Sequence, residues 1–348
     1  MTQDASPGRV RISFPEISSR AWEHPADRGA LVALRSLSGF DTVLKVYSGL
    51  MRERGRRLLY LASAVRVGGR QFRGVDALYT DCAGILDIPR RPELFVTMDP
   101  MPHAMTLGMD TPFIVVSSGL LDLLDDEELR TVLGHELGHA RSGHAVYRTM
   151  LLSLVRMPML LGWFPLGGWT LRAIVAALQE WQRKSELSAD RAGLLAGQDL
   201  DAALRVHMKV AGGARLADMD VAAFLDQAVE YQATGDLRDS VLKLLNLELR
   251  SHPFSVLRAA ELSKWVREGD YDRILRGEYP RRADDAGASI GEEARAAARS
   301  YRDGFDVSAD PLVAALRGLG DGLAGAAGGL RDAVSGWVRS GRRPDPDQ

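Results

Sequence analysis

The chain has 348 residues, which is long enough to bury a sizeable core and to form one large or two modest domains. Its 44 basic and 46 acidic residues leave a net charge of -2, which argues against a nucleic-acid binder that works by neutralising phosphates. The single cysteine, Cys82, cannot form an internal disulfide, and we expect a reduced core thiol in a cytosolic protein.

Residues 1–57 are predicted to form an N-terminal helical segment. Met1 to Arg20 contains no apolar stretch of the kind found in secretory signals, so we expect no signal peptide. Ala26 to Leu37 has helical spacing behind Pro25, and Phe40 to Arg54 predicts a second helix.

A helix and short strands are predicted next. Apolar side chains at helical spacing predict a helix with a core face from Phe72 to Leu86. Two apolar runs, Leu94 to Met98 and Phe113 to Ser117, predict strands. Pro102 to Gly108, between the two strands, is interpreted as a loop. His103 in this loop has either no catalytic role or a contact on the substrate side.

A clear helix start precedes the stretch Gly134 to His139. Asp125 can cap the helix, and Glu128, three residues on, can complete a capping box. Apolar residues then recur at helical spacing: Leu129, Val132, Leu133 and Leu137. We therefore expect one helix through this stretch.

The same stretch reads H-E-x-x-H, a spacing that suits a metal site. Residues four apart on a helix lie about 40° apart around its axis, so His135 and His139 can reach one ion. Glu136 lies about 100° from His135 and can face the open position of a metal without being a ligand. Zinc with three protein ligands keeps a site for water, whose pKa falls to about 7. A surface helix with two histidines is the alternative, and a third ligand decides between the two.

One kind of third ligand is excluded by counting. The extended motif H-E-x-x-H-x-x-G-x-x-H would need glycine at position 142 and histidine at 145, where this chain has Ser142 and Ala145. His144 is off by one, and it would point about 180° from His135 if the helix continued.

A carboxylate from a second helix is the remaining option. Glu186 and Asp190 share a face of a helix predicted from Leu171 to Leu195. Glu186 can bind zinc while Asp190 orients a ligand imidazole. A solvated acidic face is the alternative for this pair.

Met150 to Leu171 is the most apolar part of the chain. Its uncharged run is shorter than the about 20 residues that cross a bilayer, and it contains several glycines and prolines. We therefore expect a helical hairpin rather than a transmembrane helix. Such a hairpin can cover the cleft, bind a partner or contact a membrane interface, and the sequence leaves these roles open.

The remaining chain is predicted to be helical up to about residue 280. Helices are expected over Ala202 to Val210, Val221 to Tyr231 and Asp236 to Leu249, and Pro253 suits the first turn of another. Three other histidines show no partner pattern and are interpreted as structural: His24, His144 and His207.

Together these motifs resemble the gluzincin metalloproteases, a family that includes the heat-shock membrane protease HtpX and the prenyl-protein (CAAX) metalloprotease. The resemblance covers roughly Leu58 to Leu275. Five elements carry it in the family's order: Phe113 to Leu121, Asp125 to Leu129, Val132 to His139, Glu186-x-x-x-Asp190, and Ser251-His252-Pro253 with Arg258. His103 departs from the family, which usually has asparagine there.

The resemblance implies one Zn²⁺ per chain. His135, His139 and Glu186 are then the zinc ligands, and Glu136 is the base. Asp190 is then the residue that orients a ligand imidazole without binding the ion itself.

It also implies roles for residues outside the metal helices. His252, otherwise a loop histidine, becomes a candidate donor to the oxyanion of the tetrahedral intermediate. Arg258 supports Asp190 or the metal helices. The strand before the metal helix, Phe113 to Ser117, is a sheet edge to which an extended polypeptide substrate adds as an antiparallel partner.

We therefore expect an α+β fold, mainly α, of the gluzincin type, with a small sheet whose edge strand precedes the metal-binding helix. The segments are 1–57, a zinc metallopeptidase domain at 58–280 with its hairpin at 150–171, and a linker with an Ala/Gly-rich helical tail at 281–348. A cytoplasmic location is expected, with peripheral membrane or partner contact through the hairpin left open.

The predicted function is that of a zinc metalloendopeptidase. Glu136 takes a proton from the zinc-activated water, which attacks the scissile carbonyl, and returns the proton to the leaving amine. The alternative is a proteolytically silent or latent, zinc-stabilised scaffold that recruits partners through the hairpin and the tail. A serine hydrolase lacks support because no G-x-S-x-G motif is present.

Overall fold

A computed structural model of the chain describes residues 10–35, 40–41, 43–44, 53–108, 111–156, 168–233 and 255–286. Most of these residues are helical, and the expected α+β class, mainly α, is confirmed. The α-helices of five residues or more are α1 (Pro25–Arg35), α2 (Glu53–Ser63), α3 (Arg73–Ile85), α4 (Ser118–Leu123), α5 (Asp126–Arg141), α6 (His144–Arg156), α7 (Gly168–Gly197), α8 (Leu200–Gly212), α9 (Val221–Ala233), α10 (Ser255–Arg267) and α11 (Asp270–Leu275).

Within the described residues, four strands form one mixed sheet. They are β1 (Val65–Arg66), β2 (Glu93–Thr97), β3 (Ala104–Leu107) and β4 (Phe113–Ser117), in the order β1-β2-β4-β3. β2 and β4 run parallel, whereas β1 and β3 are antiparallel to their neighbours. All five residues of β4 are buried, in keeping with their apolar, β-branched character.

The prediction that β4 is a sheet edge is wrong. β4 pairs with β2 on one side and with β3 on the other, so its main-chain groups are already used inside the sheet. The segment interpreted as a loop contains a strand, β3, which folds back antiparallel on β4 from Ala104 to Leu107. β3, and not Phe113 to Ser117, is therefore the edge of the sheet on the side of the metal helix.

The start of α5 has the predicted capping box. Asp125 Oδ1 accepts from the Glu128 amide at 2.9 Å, and Glu128 Oε2 accepts from the Asp125 amide at 2.9 Å. The buried Glu128 carboxylate also accepts from Arg205 at 3.0 Å and from Lys209 at 2.6 Å. The cap thus fixes the helix start and ties α5 to α8.

α5 and α7 pack closely through small residues. A Cβ added at Gly134 would lie 2.3 Å from the Cβ of Ala196, and one added at Gly138 would lie 2.5 Å from the Cβ of Ala192. Only glycine therefore fits at these two positions of α5. This close approach is what lets side chains of both helices meet at one point.

The main core lies between the sheet and these helices. Leu133 and Leu137 of α5 pack there with Ile114 and Val116 of β4, and Trp22 from the N-terminal segment shares the same cluster. A second cluster joins α1 to α6 and α7. The three-segment division of the chain stays a prediction.

The arms of the predicted hairpin are helical, because α6 extends to Arg156 and α7 begins at Gly168. The tip of the hairpin, at 157–167, lies outside the described residues. So do the predicted helix from Asp236 to Leu249, the tail from 287 and most of the predicted helix from Phe40 to Arg54. Across the ranges given above, no helix combines the length and apolar character that crossing a bilayer requires.

Candidate metal centre

Three predicted ligands meet between α5 and α7. The Nε2 atoms of His135 and His139 lie 3.1 Å apart. The two carboxylate oxygens of Glu186 lie 3.4 Å from His135 Nε2 and 3.4 Å from His139 Nε2, respectively. All three side chains are buried. The structure therefore brings together the residues that the motif and the E-x-x-x-D stretch indicated.

The three side chains are close enough to hold one ion. Ligand atoms at about 2.0–2.1 Å from zinc in a tetrahedron lie roughly 3.3 Å from one another. The two imidazole nitrogens are 3.1 Å apart, and each lies 3.4 Å from a different oxygen of Glu186. Glu186 Oε1 is buried and has no hydrogen-bond partner among the described residues; Arg148 Nη1 lies 3.7 Å away, beyond hydrogen-bond distance. A buried carboxylate oxygen without a donor is expensive unless a cation satisfies it. The cluster therefore fits a metal ion held by two imidazoles and one carboxylate.

Asp190 and Arg258 hold the first of these imidazoles. Asp190 Oδ1 lies 3.0 Å from His135 Nδ1, and Arg258 Nε donates to Asp190 Oδ2 at 2.7 Å. Burial raises the pKa of Asp190, but the charge of Arg258 and the hydrogen bonds with Arg258 and His135 outweigh it and hold the pKa below its ordinary value. Asp190 is therefore a carboxylate that accepts the Nδ1 proton, and His135 Nε2 is the nitrogen that faces the other two predicted ligands.

Charged and hydrogen-bonded neighbours shift the pKa values of His135 and Glu186 against the effect of burial. Burial lowers the pKa of His135, yet its hydrogen bonds to Asp190 and Glu186 raise it to about 9. Burial raises the pKa of Glu186, but the charges of Arg148 and Arg258 keep it well below the ordinary range. Glu186 is thus an ionised ligand at neutral pH.

The second imidazole has a partner that the sequence did not reveal. His139 Nδ1 lies 2.9 Å from His144 Nδ1, and His144 Nε2 lies 3.1 Å from Asp27 Oδ2. The interpretation of His144 assumed a continuous helix, whereas α5 ends at Arg141 and a turn with Gly143 at a φ of +72° separates it from α6. His144 therefore begins α6 and points back at the metal cluster.

Glu136 lies beside the cluster and is held by the sheet edge. Its Oε1 is 4.0 Å from His135 Nε2, and Thr106 Oγ1 donates to its Oε2 at 2.6 Å. Thr106 lies on β3 and is fully buried. This contact was missed because it joins residues thirty positions apart through a strand that the sequence did not predict.

A cleft of about 630 Å³ opens over the cluster. His103 and Ala104 line it from the sheet side, and Val206, His207 and Val210 line it from α8. His103 faces the cleft but also contacts its own loop, with Nδ1 3.0 Å from the carbonyl oxygen of Met101.

His24 and His207, both interpreted as structural, differ in position. Burial lowers the pKa of His207 to about 4, so this cleft residue is neutral at pH 7; its Nε2 lies 3.8 Å from Asp190 Oδ1. His24 accepts from the Ala26 amide at 3.1 Å, away from the cluster. His252 lies outside the described residues, and its oxyanion role stays a prediction.

Comparisons with known proteins agree with this chemistry. A family model described as Peptidase family M48 matches residues 70–266. The plastoglobule-localized metallopeptidase 48 of Arabidopsis thaliana is 34% identical over 270 residues, which cover 76% of this chain and 78% of that protein.

Shorter matches are found to proteases described as HtpX homologues. That of Dictyoglomus thermophilum is 37% identical over 124 residues, which cover 35% of this chain and 36% of that protein. That of Tropheryma whipplei is 38% identical over 66 residues, which cover 18% of this chain and 23% of that protein. No solved structure gives a match.

Proposed function

This chain belongs to peptidase family M48 and is a metallopeptidase, and from that premise we propose that it is a zinc-dependent endopeptidase with Glu136 as its general base. The observation that carries the proposal is the position of Glu136. Its carboxylate lies beside the three convergent ligand atoms but is not one of them. A base of this kind must be close to the attacking water without occupying the metal's open position.

His135, His139 and Glu186 would hold the zinc ion. Two imidazoles and a carboxylate form one of the ligand sets of catalytic zinc, which leaves a fourth position open. When bound, the ion supplies Lewis acidity: it lowers the pKa of a water at the open position and polarises a carbonyl oxygen.

The side chains around the cluster do the remaining work. Glu136 accepts a proton from the attacking water and donates it to the leaving amine. The Thr106 hydroxyl fixes one oxygen of Glu136, so the other is directed toward the cluster. Asp190 and Arg258 keep His135 in the tautomer whose Nε2 can bind metal.

We place the substrate along the start of β3 rather than along β4. The Ser117 amide donates to the His103 carbonyl at 2.9 Å, so the next pair, Ala104 and Val116, is of the non-hydrogen-bonded kind. The main-chain groups of Ala104 then point away from β4, and Ala104 lines the cleft. An extended peptide can pair with them.

A series of singly N-methylated peptide substrates tests this alignment. Methylation of the amide that pairs with Ala104 should raise KM, because it removes a main-chain donor. KM values that do not depend on the methylated position would contradict the alignment.

The test of the enzymatic proposal compares cleavage of casein or a peptide library by wild type and by Glu136→Gln at equal zinc occupancy. Glu136→Gln should abolish cleavage because the amide cannot accept the proton. Glu278→Gln, at a largely exposed glutamate outside the cleft, is the matched control and should cleave normally. Equal rates for wild type and Glu136→Gln would refute the role of Glu136, and no cleavage by wild type would favour the silent scaffold.

We also propose peripheral contact with a membrane or lipid surface through Met150 to Leu171. The support is the apolar character of that segment and the plastoglobule localisation printed in the name of the Arabidopsis relative. Cell fractionation with and without a salt wash tests it. Full recovery in the soluble fraction before any wash would contradict it.

A further inference from the structure

We infer that His144 and Asp27 form a positioning chain for the metal ligand His139, so that the segment preceding the M48 match completes the metal centre. The inference rests on the proposed function, since it assumes that His139 Nε2 binds zinc. Asp27 lies in α1, well before residue 70, where the match to the M48 model begins.

The distances fix the direction of the hydrogen bonds. If His139 Nε2 binds metal, its Nδ1 carries the proton and donates to His144 Nδ1 at 2.9 Å. His144 Nδ1 is then an acceptor, so its proton is on Nε2, which donates to Asp27 Oδ2 at 3.1 Å. Each ring nitrogen in this series of hydrogen bonds is therefore either a donor or an acceptor. With a neutral His144, no other arrangement of protons leaves His139 Nε2 free.

Asp27, the last residue in this series of hydrogen bonds, is buried in the core. Asp27 is 2% exposed, and Ser188 Oγ donates to its Oδ2 at 2.6 Å. The His24 amide donates to Ser188 Oγ at 2.9 Å. Ser188 lies two residues after Glu186 on α7. These hydrogen bonds therefore connect α7, which carries the third predicted ligand, to Asp27 of α1, and Asp27 to His139 through His144.

Asp27 remains a carboxylate in this position. Burial raises its pKa, but the interaction with His144 and the hydrogen bond from Ser188 outweigh it and hold the pKa below its ordinary value. A carboxylate behind an imidazole orients that imidazole and raises its basicity. Here the effect passes through His144, whereas Asp190 acts on His135 directly.

The two ligand imidazoles are therefore held by different parts of the polypeptide. Asp190 and Arg258 lie within residues matched by the M48 model, but Asp27 does not. The N-terminal segment has a role at the metal centre that its place outside the matched region does not suggest.

The experiment compares two polar replacements of His144 in the full-length protein. In His144→Asn the amide oxygen can occupy the place of Nδ1 and accept from His139. In His144→Gln the amide falls near the place of Nε2, so the contact with His139 is lost. Trp181→Phe is the packing control, because the Trp181 ring contacts His144 with centroids 5.5 Å apart but takes no part in the chain.

The readouts are the zinc dissociation constant by competition with a chromophoric chelator and the visible absorption of the Co²⁺-substituted protein. His144→Gln should weaken zinc binding about 10- to 100-fold and shift the Co²⁺ spectrum, as removal of a ligand's supporting hydrogen bond does elsewhere. Trp181→Phe should stay close to wild type. His144→Asn keeps an acceptor for His139 but loses the contact with Asp27, so it should weaken zinc binding less than His144→Gln does. Asp27→Asn should weaken zinc binding about tenfold.

Unfolding of the zinc-free variants separates positioning from folding. Equal zinc affinities for His144→Asn and His144→Gln would overturn the inference, whatever their stabilities, and wild-type affinity in Asp27→Asn would remove Asp27 from it. If wild type bound zinc tightly and the variants bound it equally well, the proposed function would stand and only this inference would fail. If wild type bound no zinc, both would fail.

Discussion

Gly138→Ala tests the idea that close packing of α5 against α7 assembles the metal centre. Gly138 immediately precedes His139, and Ala192 lies six residues after Glu186. A Cβ at position 138 would lie 2.5 Å from the Cβ of Ala192, whereas ordinary contact begins at 3.4 Å. The helices would have to separate by about 0.9 Å, well beyond the roughly 0.2 Å that ligand distances in metal sites tolerate.

The stability change and the metal affinity should respond differently. Overpacking costs about 1–3 kcal/mol, while alanine favours a helix interior over glycine by about 1 kcal/mol. The net loss of unfolding free energy is then at most about 2 kcal/mol, so Gly138→Ala should fold. Its zinc affinity should fall by about 10-fold or more, because Glu186 moves away from His135 and His139.

A compensating change sharpens this test. In Gly138→Ala with Ala192→Gly, the new methyl group would next meet Ala189 Cα at 3.5 Å, an ordinary contact. The double variant should recover wild-type zinc affinity. Gly84→Ala is the matched control, since a Cβ there meets nothing within 4 Å. Wild-type zinc affinity in Gly138→Ala, or no recovery in the double variant, would refute the packing argument.

Two further predictions concern Thr106 and Cys82. Thr106→Val removes the hydrogen bond to the Glu136 carboxylate, and a hydrogen bond to a charged group is worth about 1.5–3 kcal/mol. The variant should therefore lower kcat about 10-fold or more at unchanged zinc occupancy. An unchanged kcat would exclude Thr106 from positioning Glu136. Burial raises the pKa of the Cys82 thiol from its ordinary value of 9.0 to about 12. The thiol therefore ionises at a lower pH in the unfolded chain than in the folded one, so the free energy of unfolding falls as pH rises from 9.0 to about 12. Cys82→Ala should therefore lose less stability than wild type between pH 9 and 10.5 in chemical denaturation, and parallel curves would contradict this.

The metal motif could be predicted because its geometry is local. A helix fixes the angle between His135 and His139 from their spacing alone, and the capping signals of Asp125 and Glu128 fixed where that helix starts. Glu186 is distant in sequence, yet it lies on a strongly patterned helix, so it too could be proposed.

The sheet edge could not be predicted in the same way. β3 has four residues between Pro102 and Gly108, and its pairing with β4 is a tertiary contact that short apolar runs do not specify. The family resemblance predicted Phe113 to Ser117 as the edge, and the fold places β3 outside it. Thr106 and its bond to Glu136 were missed for the same reason.

The role of His144 depended on one turn. A continuous helix would have pointed His144 away from the site, but Gly143 adopts a positive φ that glycine tolerates and the helix is broken there. Asp27 approaches from α1, more than a hundred residues earlier, and its contact with His144 carries no signal in the sequence.

The proposed chemistry requires that two imidazoles and one distant carboxylate bind one zinc ion. Zinc analysis of the full-length protein, purified without chelator, tests it most directly when wild type is compared with Glu186→Ala. We expect one zinc per wild-type chain and a large loss of zinc from Glu186→Ala under the same dialysis. A wild-type chain without zinc, or equal zinc in both proteins, would contradict it.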